Sequence, residues 1–220
     1  MSYYYNPQFI NKIDCSLNII FEVGARYGDE SLELSKVFPN ANIFSFECNP
    51  LTVEIARKKL LNKKNIKFFD FGLGEKNEIK SFYSYTKNND GCSSFLKRID
   101  FNKTQKETGK IPIRKLKDIV EEMKIKKIDL LCMDVQGYEL NILKGAEDFI
   151  KNINYIILEE PKKCINKKYL SEHLHSKYIN APSSYDIQNF MLKNNFYEIE
   201  RIEENKLEDN VLYKRKKDNL

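Results

Sequence analysis

Residues 17–28, LNIIFEVGARYG, form a short apolar run rich in β-branched side chains that leads directly into a glycine-containing turn. This pattern predicts a buried β-strand that ends at Gly24. Apolar residues at helical spacing follow as far as Val37, and Pro39 marks the expected end of that helix. This part of the chain therefore predicts a strand, a tight turn and a helix in succession.

The same succession of strands and helices continues along the chain. Helical patterns alternate with four later apolar strand patterns, which cover residues 43–46, 66–71, 128–134 and 155–158. Because strands that alternate with helices form parallel sheets covered on both faces, this order predicts an α/β fold.

The last part of the chain predicts how the sheet is closed. A helix is expected over 184–193, capped by Ser183 or Ser184, and strands 197–202 and 211–213 are expected to pair as an antiparallel hairpin. The predicted fold is Rossmann-like and doubly wound: seven mostly parallel strands, a C-terminal antiparallel hairpin, and helices on both faces.

Two segments predict strands outside this succession. Residues 79–85, IKSFYSY, alternate as a half-exposed strand does, and residues 111–114 form a short strand pattern. The polar residues that follow the first of them, TKNNDGCSS, predict a loop.

Length and composition favour one soluble domain. The 220 residues, with 41% hydrophobic and 31% charged, are typical of a globular chain and exclude collagen-like, low-complexity and disulfide-scaffold classes. We expect a single domain over 1–220, with a core at about 17–160, a lid or acceptor loop at 162–182, and a closing helix and hairpin at 183–216.

Targeting and redox signals favour the cytoplasm. No apolar run reaches the roughly 18 residues of a membrane span, and MSYYYNPQF has neither the basic nor the apolar part of a signal peptide. The five cysteines lie 32 to 44 residues apart, so they offer no close metal-ligand spacing and predict reduced thiols. We therefore expect a cytoplasmic protein.

Carboxylates stand at or near the C-terminal ends of the predicted strands. They are Glu22, Glu47, Asp70, Asp134 and Glu159. In a doubly wound sheet, ligands bind outside these ends, at the point where the strand order reverses. Since a row of like charges stabilises no sheet by itself, the arrangement favours a ligand with hydroxyl or cationic groups.

The turn after the first strand is typical of nucleotide-binding sheets. Gly24 and Gly28 allow close approach of a backbone, and the following helix has free N–H groups for an anion. Glu47 lies 19 residues after Gly28, where such sheets place the acid that accepts hydrogen bonds from ribose hydroxyls. The alternative is that the glycines are ordinary turn residues and Glu47 a solvated strand end.

Six segments together resemble the FkbM family of class I S-adenosylmethionine-dependent methyltransferases. They are EVGARYG (22–28), FECNP (46–50), FDFGLG (69–74), GCSS (91–94), IDLLCMDVQGYELNILKGA (128–146) and YIILEE (155–160). The block from Asp134 to Ala146 is the most specific, because it is not a general feature of Rossmann-like folds. Near the end of the chain, DNVLYKRK resembles the closing strand of the family.

The resemblance implies that S-adenosylmethionine is the cofactor and assigns roles to individual residues. Gly24, Ala25 and Gly28 would lie under the methionine moiety, with Glu22 near its ammonium group. Glu47 would bind the ribose hydroxyls, beside Cys48. Asp70, Phe71 and Gly72 would face the adenine edge, and Asp134 would lie nearest the transferring methyl group. Two departures affect the cofactor site: the family usually has Asn at Arg26 and Pro at Cys48.

An alcohol needs a base or a metal for methylation, because its pKa lies far above 7. Asp134 is the first candidate for orienting or deprotonating the acceptor, and Glu159 is the second. Alternatively, Asp134 only positions the cofactor amine. Mg²⁺ is a possible second cofactor, with Asp134 and Glu159 as two oxygen ligands. His175, in the expected lid with His173, is either a catalytic base or a solvated loop residue.

The resemblance implies O-methylation of a hydroxyl on a sugar, a glycan or another small metabolite. One alternative is an RNA cap or ribose 2′-O-methyltransferase, which uses a Lys-Asp-Lys-Glu tetrad; Asp134 fits it, but Glu159 stands where a lysine is needed. Only six of the 37 basic residues are arginines, so nucleic acid is the less favoured partner. A second alternative, prompted by Arg26, is a catalytically degenerate binding module.

Overall fold

A computed structural model describes residues 6–13, 16–85, 90–98, 105–162, 178–204 and 207–216. The strands are β1 Ile19–Val23, β2 Asn42–Phe46, β3 Ile66–Phe69, β4 Gly72–Gly74, β5 Glu78–Tyr85, β6 Gln105–Lys115, β7 Ile128–Met133, β8 Ile153–Pro161, β9 Phe196–Glu203 and β10 Glu208–Arg215. The α-helices are α1 Pro7–Ile10, α2 Asp29–Val37, α3 Val53–Leu60, α4 Leu116–Glu122, α5 Glu139–Gly145 and α6 Ser184–Lys193, and 3-10 turns span Asp90–Cys92 and Glu147–Asn152.

The central sheet has seven strands in the spatial order β3-β2-β1-β7-β8-β10-β9. The five strands from β3 to β8 are parallel, with Phe21 beside Phe44 on one side and Leu131 on the other. Strand β10 is antiparallel to both β8 and β9 and forms the closing hairpin. The predicted doubly wound, mostly parallel sheet is confirmed, and its order reverses between β1 and β7.

Both faces of the sheet are buried. Alternate residues of β1 point to opposite faces: Phe21 belongs to a cluster covered by α4 and α6, and Ile20 to a cluster that includes Leu34 of α2. This two-sided burial explains why the parallel strands are almost continuously apolar in sequence.

A second sheet, with the order β4-β6-β5, differs from the prediction. The strand predicted at 111–114 extends over Gln105–Lys115, because its polar first half pairs with β5 through the backbone. The strand predicted at 66–71 ends at Phe69, and the chain leaves the central sheet through Asp70 and Phe71 to enter β4.

The helix that precedes the hairpin begins as predicted. The Ser183 hydroxyl accepts a hydrogen bond from the Asp186 N–H, and the Asp186 carboxylate accepts one from the Ser183 N–H. This reciprocal cap satisfies two backbone donors at the start of α6. Within the described part of the chain, no helix is long and apolar enough to cross a membrane.

Candidate active site

A cavity of about 360 Å³ lies outside the C-terminal ends of β1, β2 and β7. Three loops form most of its wall: residues 24–27 after β1, 47–49 after β2, and 134–135 after β7. Residues 71–73, at the start of β4, complete that side. The cavity therefore lies where the strand order reverses, which is the expected ligand site of such a sheet.

The loop after β1 has an unusual backbone conformation. Gly24 has φ +96° and Arg26 has φ +50°, both in the left-handed region. The Gly24 and Ala25 N–H groups donate to the Phe46 carbonyl oxygen, at 2.9 and 3.0 Å, which ties this loop to the end of β2. Gly24 and Ala25 line the cavity, whereas Gly28 lies behind its wall and closes the turn into α2.

Glu47 is a buried carboxylate in the cavity wall. Its Oε2 accepts a hydrogen bond from the Arg26 N–H at 2.5 Å, and its Oε1 accepts one from the Asn49 N–H at 2.6 Å. Burial raises the pKa of Glu47 to about 7. Since each carboxylate oxygen has two lone pairs, the group keeps capacity to accept hydrogen bonds from a diol.

Aromatic side chains line the cavity beside Glu47. The rings of Phe46 and Phe71 meet edge to face at 5.8 Å, and Phe95, Phe82 and Tyr138 add further apolar surface. A Cβ on Gly72 would lie 2.6 Å from the Phe95 ring, so a glycine is needed for this close packing.

Cys48 and Asp70, two further predicted binding residues, differ in their position relative to the cavity. Cys48 lines the cavity, and burial raises the pKa of its thiol. The exposed Asp70 does not line the cavity; its carboxylate pairs with Arg57 at 2.7 Å.

Glu22 lies outside the cavity and in the core. It is on the same face of β1 as Ile20, below the first turn of α2, where it accepts a hydrogen bond from the Ser31 hydroxyl. Its Oε1 is buried with no hydrogen-bond partner among the described residues. Burial raises the pKa of Glu22 to about 7, so the carboxyl is partly protonated at neutral pH.

Asp134 follows β7, is exposed and lines the cavity. Its N–H donates to the Val23 carbonyl oxygen at 3.0 Å, and its Oδ1 accepts a hydrogen bond from the Gln136 amide at 2.7 Å. Desolvation by the surrounding protein raises the pKa of Asp134 to about 6. The carboxylate is thus predominantly ionised above that pH.

Glu159 lies next to Asp134 but not in the same cavity. It lines a separate small recess with Gly137, Glu139 and Glu208, and its Oε2 accepts a hydrogen bond from the Gln136 amide at 2.9 Å. Burial, followed by the charge of Asp134, raises the pKa of Glu159 well above its ordinary value. One amide therefore bridges the two predicted catalytic carboxylates.

The possible Mg²⁺ site of the sequence analysis finds no support among the described residues. Among the described residues, no group of three or more His, Cys, Asp or Glu side chains is arranged to hold a metal ion. Asp134 and Glu159 converge on an amide donor, so these residues do not fit a Mg²⁺ site. The third catalytic candidate, His175, lies outside the described residues together with His173.

Three residues of the site were not predicted from the sequence: Gln136, Tyr178 and Phe82. Gln136 and Tyr178 had no recognisable signal, because the Tyr178 hydroxyl reaches the Gln136 amide across 42 positions of sequence. Glu139 holds the same loop: its carboxylate accepts hydrogen bonds from the Val135 and Gly137 N–H groups, at 3.2 and 3.3 Å. The alternation of residues 79–85 did contain a signal for Phe82.

Comparisons with known proteins agree with this geometry. A family model described as "Methyltransferase FkbM domain" matches residues 22–199. The chain is 22% identical over 162 residues to 2-O-methyltransferase NoeI of Sinorhizobium fredii, covering 69% of this chain and 67% of that protein. It is 25% identical over 147 residues to Methyltransferase 1 of Beauveria bassiana, covering 60% of this chain and 59% of that protein.

A solved structure shows the same fold. The crystal structure of methyltransferase FkbM from Methylobacillus flagellatus superposes with a TM-score of 0.56 at 17% identity, covering 90% of this chain and 43% of that chain. This chain thus spans less than half of that structure. Because the family model covers most of the chain, and includes the cavity loops after β1, β2 and β7, the chain belongs to the FkbM family of class I, S-adenosylmethionine-dependent methyltransferases.

Proposed function

We propose that this protein transfers a methyl group from S-adenosylmethionine to a hydroxyl of a sugar, a glycan or another small metabolite. One observation supports the proposal most: Glu47 and Asp134 line the same cavity from the two strands that flank β1. Strands β2 and β7 are therefore about 10 Å apart. At one end of a ligand bound between them, Glu47 would accept hydrogen bonds from a diol. At the other end, Asp134 would act as a carboxylate base.

The cofactor would be held by the residues that line the cavity. Glu47 would accept hydrogen bonds from the ribose hydroxyls, Phe71 and Gly72 would contact the adenine, and Gly24 and Ala25 would lie along the methionine moiety. When bound, the cofactor supplies an electrophilic methyl group. Three of the predicted binding residues, Glu22, Gly28 and Asp70, do not line the cavity, and we assign them a supporting role.

Asp134 would act on the acceptor. A carboxylate that is ionised above about pH 6 can orient a hydroxyl and accept its proton as the new bond forms. Glu159, which lies outside the cavity and whose pKa burial raises well above its ordinary value, is the weaker candidate for this role. Alternatively, Asp134 holds the amine of the cofactor, and the proposed variants separate these two roles.

The charge near Asp134 favours an acceptor without phosphate groups. Glu204 and Glu208 raise the pKa of both Asp134 and Glu159, whereas Arg26 lowers that of Asp134. These acids repel a phosphate backbone, and Glu159 takes the place of the lysine in the RNA 2′-O-methyltransferase tetrad. The similarity to NoeI, a 2-O-methyltransferase, also supports transfer to oxygen.

Titration calorimetry with S-adenosylhomocysteine tests the cofactor site. We expect saturable binding to the wild type, at least about tenfold weaker binding to Glu47→Ala, and unchanged binding to the exposed control Glu54→Ala. Absence of binding to a wild-type protein with intact circular dichroism would instead support the degenerate module.

Transfer of a labelled methyl group tests the reaction. The wild type is incubated with labelled S-adenosylmethionine and, separately, neutral sugars and oligosaccharides, small alcohols, or capped RNA. We expect label in a hydroxyl compound and an about 10²- to 10⁴-fold loss in Asp134→Asn, with retained binding of S-adenosylhomocysteine. Weaker binding with an unchanged rate would assign Asp134 to the cofactor amine, and label in RNA alone would support the RNA alternative.

A further inference from the structure

The Gln136 side chain occupies a central position between two carboxylates. Its amide nitrogen lies 2.7 Å from Asp134 Oδ1 and 2.9 Å from Glu159 Oε2, so each amide hydrogen is donated to a different carboxylate. Glu159 is buried in β8, and it therefore provides a fixed anchor. Asp134 is joined to that anchor through a single amide group.

Tyr178 sets the orientation of this amide. Its hydroxyl lies 2.8 Å from Gln136 Oε1 and 2.9 Å from the Cys92 carbonyl oxygen, and its proton is shared between the two acceptors. Because Tyr178 donates to the amide oxygen of Gln136, this oxygen faces Tyr178 and the NH₂ group faces the two carboxylates. Tyr178 is buried, and its ring packs against the guanidinium of Arg98 at 5.6 Å.

The backbone at Gln136 is held in an unfavourable conformation. Gln136 has φ +56°, which costs free energy for a residue with a side chain, and the next residue, Gly137, has φ +89°. The Ser94 hydroxyl donates to the Gln136 carbonyl oxygen at 3.0 Å, and Glu139 accepts the N–H groups on both sides. Several tertiary contacts thus keep the side chain directed at Asp134.

We propose that Gln136, oriented by Tyr178, is a positioning residue that fixes the Asp134 carboxylate at the edge of the cavity. The inference rests on the function proposed above, in which Asp134 faces the acceptor. Glutamine suits this position because it donates to two acids at once. A glutamate there would add a third carboxylate and remove both donors.

Other charged groups also face Asp134 and must be considered in any test. They are Arg26 from the loop after β1, Glu139 from α5, Glu159 from β8, Glu204, which follows β9, and Glu208 from β10. Arg26 favours the ionised form of Asp134, and the acids oppose it. Gln136 adds a neutral donor that favours the carboxylate through a directed hydrogen bond.

Carboxyl-carbon NMR tests the proposal without an acceptor, using the protein bound to S-adenosylhomocysteine. The Asp134 resonance is assigned with Asp134→Asn. Since a hydrogen bond to a carboxylate stabilises its ionised form, we expect Gln136→Met to raise the proton affinity of Asp134 about tenfold. Tyr178→Phe should change it in the same direction by less.

Gln188→Met is the matched control, since the Gln188 amide also bridges a carboxylate and a second acceptor, Glu160 and the Ser184 hydroxyl, away from the cavity. It should leave the Asp134 titration unchanged. An unchanged titration in Gln136→Met, or in Tyr178→Phe if the first variant does not fold, would overturn the positioning role. Failure of the wild type to bind S-adenosylhomocysteine would reject the proposed function instead, and the two failures are therefore distinguishable.

Discussion

A Cβ atom on Gly24 would lie 2.0 Å from the carbonyl oxygen of Asp134. At this point the turn after β1 touches the end of β7, where the Asp134 N–H also donates to the Val23 carbonyl oxygen. The glycine that was predicted to allow approach of a ligand therefore also allows two strand ends to meet. A side chain at residue 24 would push apart the loops after β1 and β7, which form part of the cavity wall.

Gly24→Ala should destabilise the protein by about 2 kcal/mol or more and abolish binding of S-adenosylhomocysteine, because it combines a backbone clash with φ +96°. Gly109→Ala is the matched control, since the nearest atoms to its Cβ lie at 3.8 Å. Urea unfolding and calorimetry of both variants measure the two effects. Equal stabilities would contradict the steric explanation.

Glu22 should make the protein less stable as pH rises. Its pKa is about 7 in the folded protein, against 4.5 as the ordinary value, so the folded state binds more protons between these limits. The contribution of this group to stability is therefore full below pH 4.5 and is lost as pH rises through about 7. The free energy of unfolding of Glu22→Gln, measured relative to that of the wild type, should therefore increase by about 1 to 3 kcal/mol from pH 5 to pH 8.

Urea unfolding of the wild type and Glu22→Gln at both pH values checks this prediction, with the exposed Glu33→Gln as the control. The test compares the difference in free energy of unfolding between the two proteins at pH 5 with the same difference at pH 8. The cost of placing an amide in the core is the same at each pH, so it cancels in this comparison. If that difference is identical at pH 5 and pH 8, Glu22 does not titrate as the buried geometry predicts.

Arg26→Asn should stabilise the fold without removing the cofactor site. Asn adopts the left-handed conformation at lower cost than Arg, and we expect a gain of about 0.5 to 1 kcal/mol in the free energy of unfolding. Binding of S-adenosylhomocysteine should persist, because Glu47 accepts the backbone N–H of residue 26. The pKa of Asp134 should rise, since the Arg26 charge lowers it.

Lys124→Asn is the control for this substitution, because Lys124 has φ +54° and lies after α4, outside the cavity wall. Lys124→Asn should give a similar gain in the free energy of unfolding and leave the Asp134 titration unchanged. Loss of binding in Arg26→Asn would show that the Arg26 side chain contributes to the cofactor site.

Glu160 should be the most important single carboxylate for the closing hairpin. It is fully buried in β8 and accepts hydrogen bonds from Ser184, Gln188, Arg201 and Tyr213, which join α6, β9 and β10 to the sheet. Glu160→Gln should cost about 3 kcal/mol in urea unfolding, because it leaves buried donors unpaired.

The exposed Glu203→Gln is the control for Glu160, since it removes only a surface ion pair with Lys162 and should cost less than about 1 kcal/mol. Binding of S-adenosylhomocysteine should be unchanged in both variants. Equal losses of stability would mean that the buried hydrogen bonds contribute no more than a solvated pair.

The sequence by itself determined the central sheet and the region of the site. Strand and helix periodicity is a local property, so residues 17–28 and the later apolar runs sufficed to predict seven strands and their connections. The positions of Glu47 and Asp134 at strand ends followed from the same pattern, because parallel strands bring their C-terminal ends to one edge.

Only the tertiary structure decided which acids face the cavity. Glu22 and Glu47 both stand near strand ends, but the pleat of β1 turns Glu22 toward α2, whereas Glu47 lies in the loop beyond β2. Likewise, the polar first half of β6 became a strand because β5 supplies its backbone partners. The contact of Tyr178 with Gln136 joins segments distant in sequence, and such contacts depend on packing that local patterns do not encode.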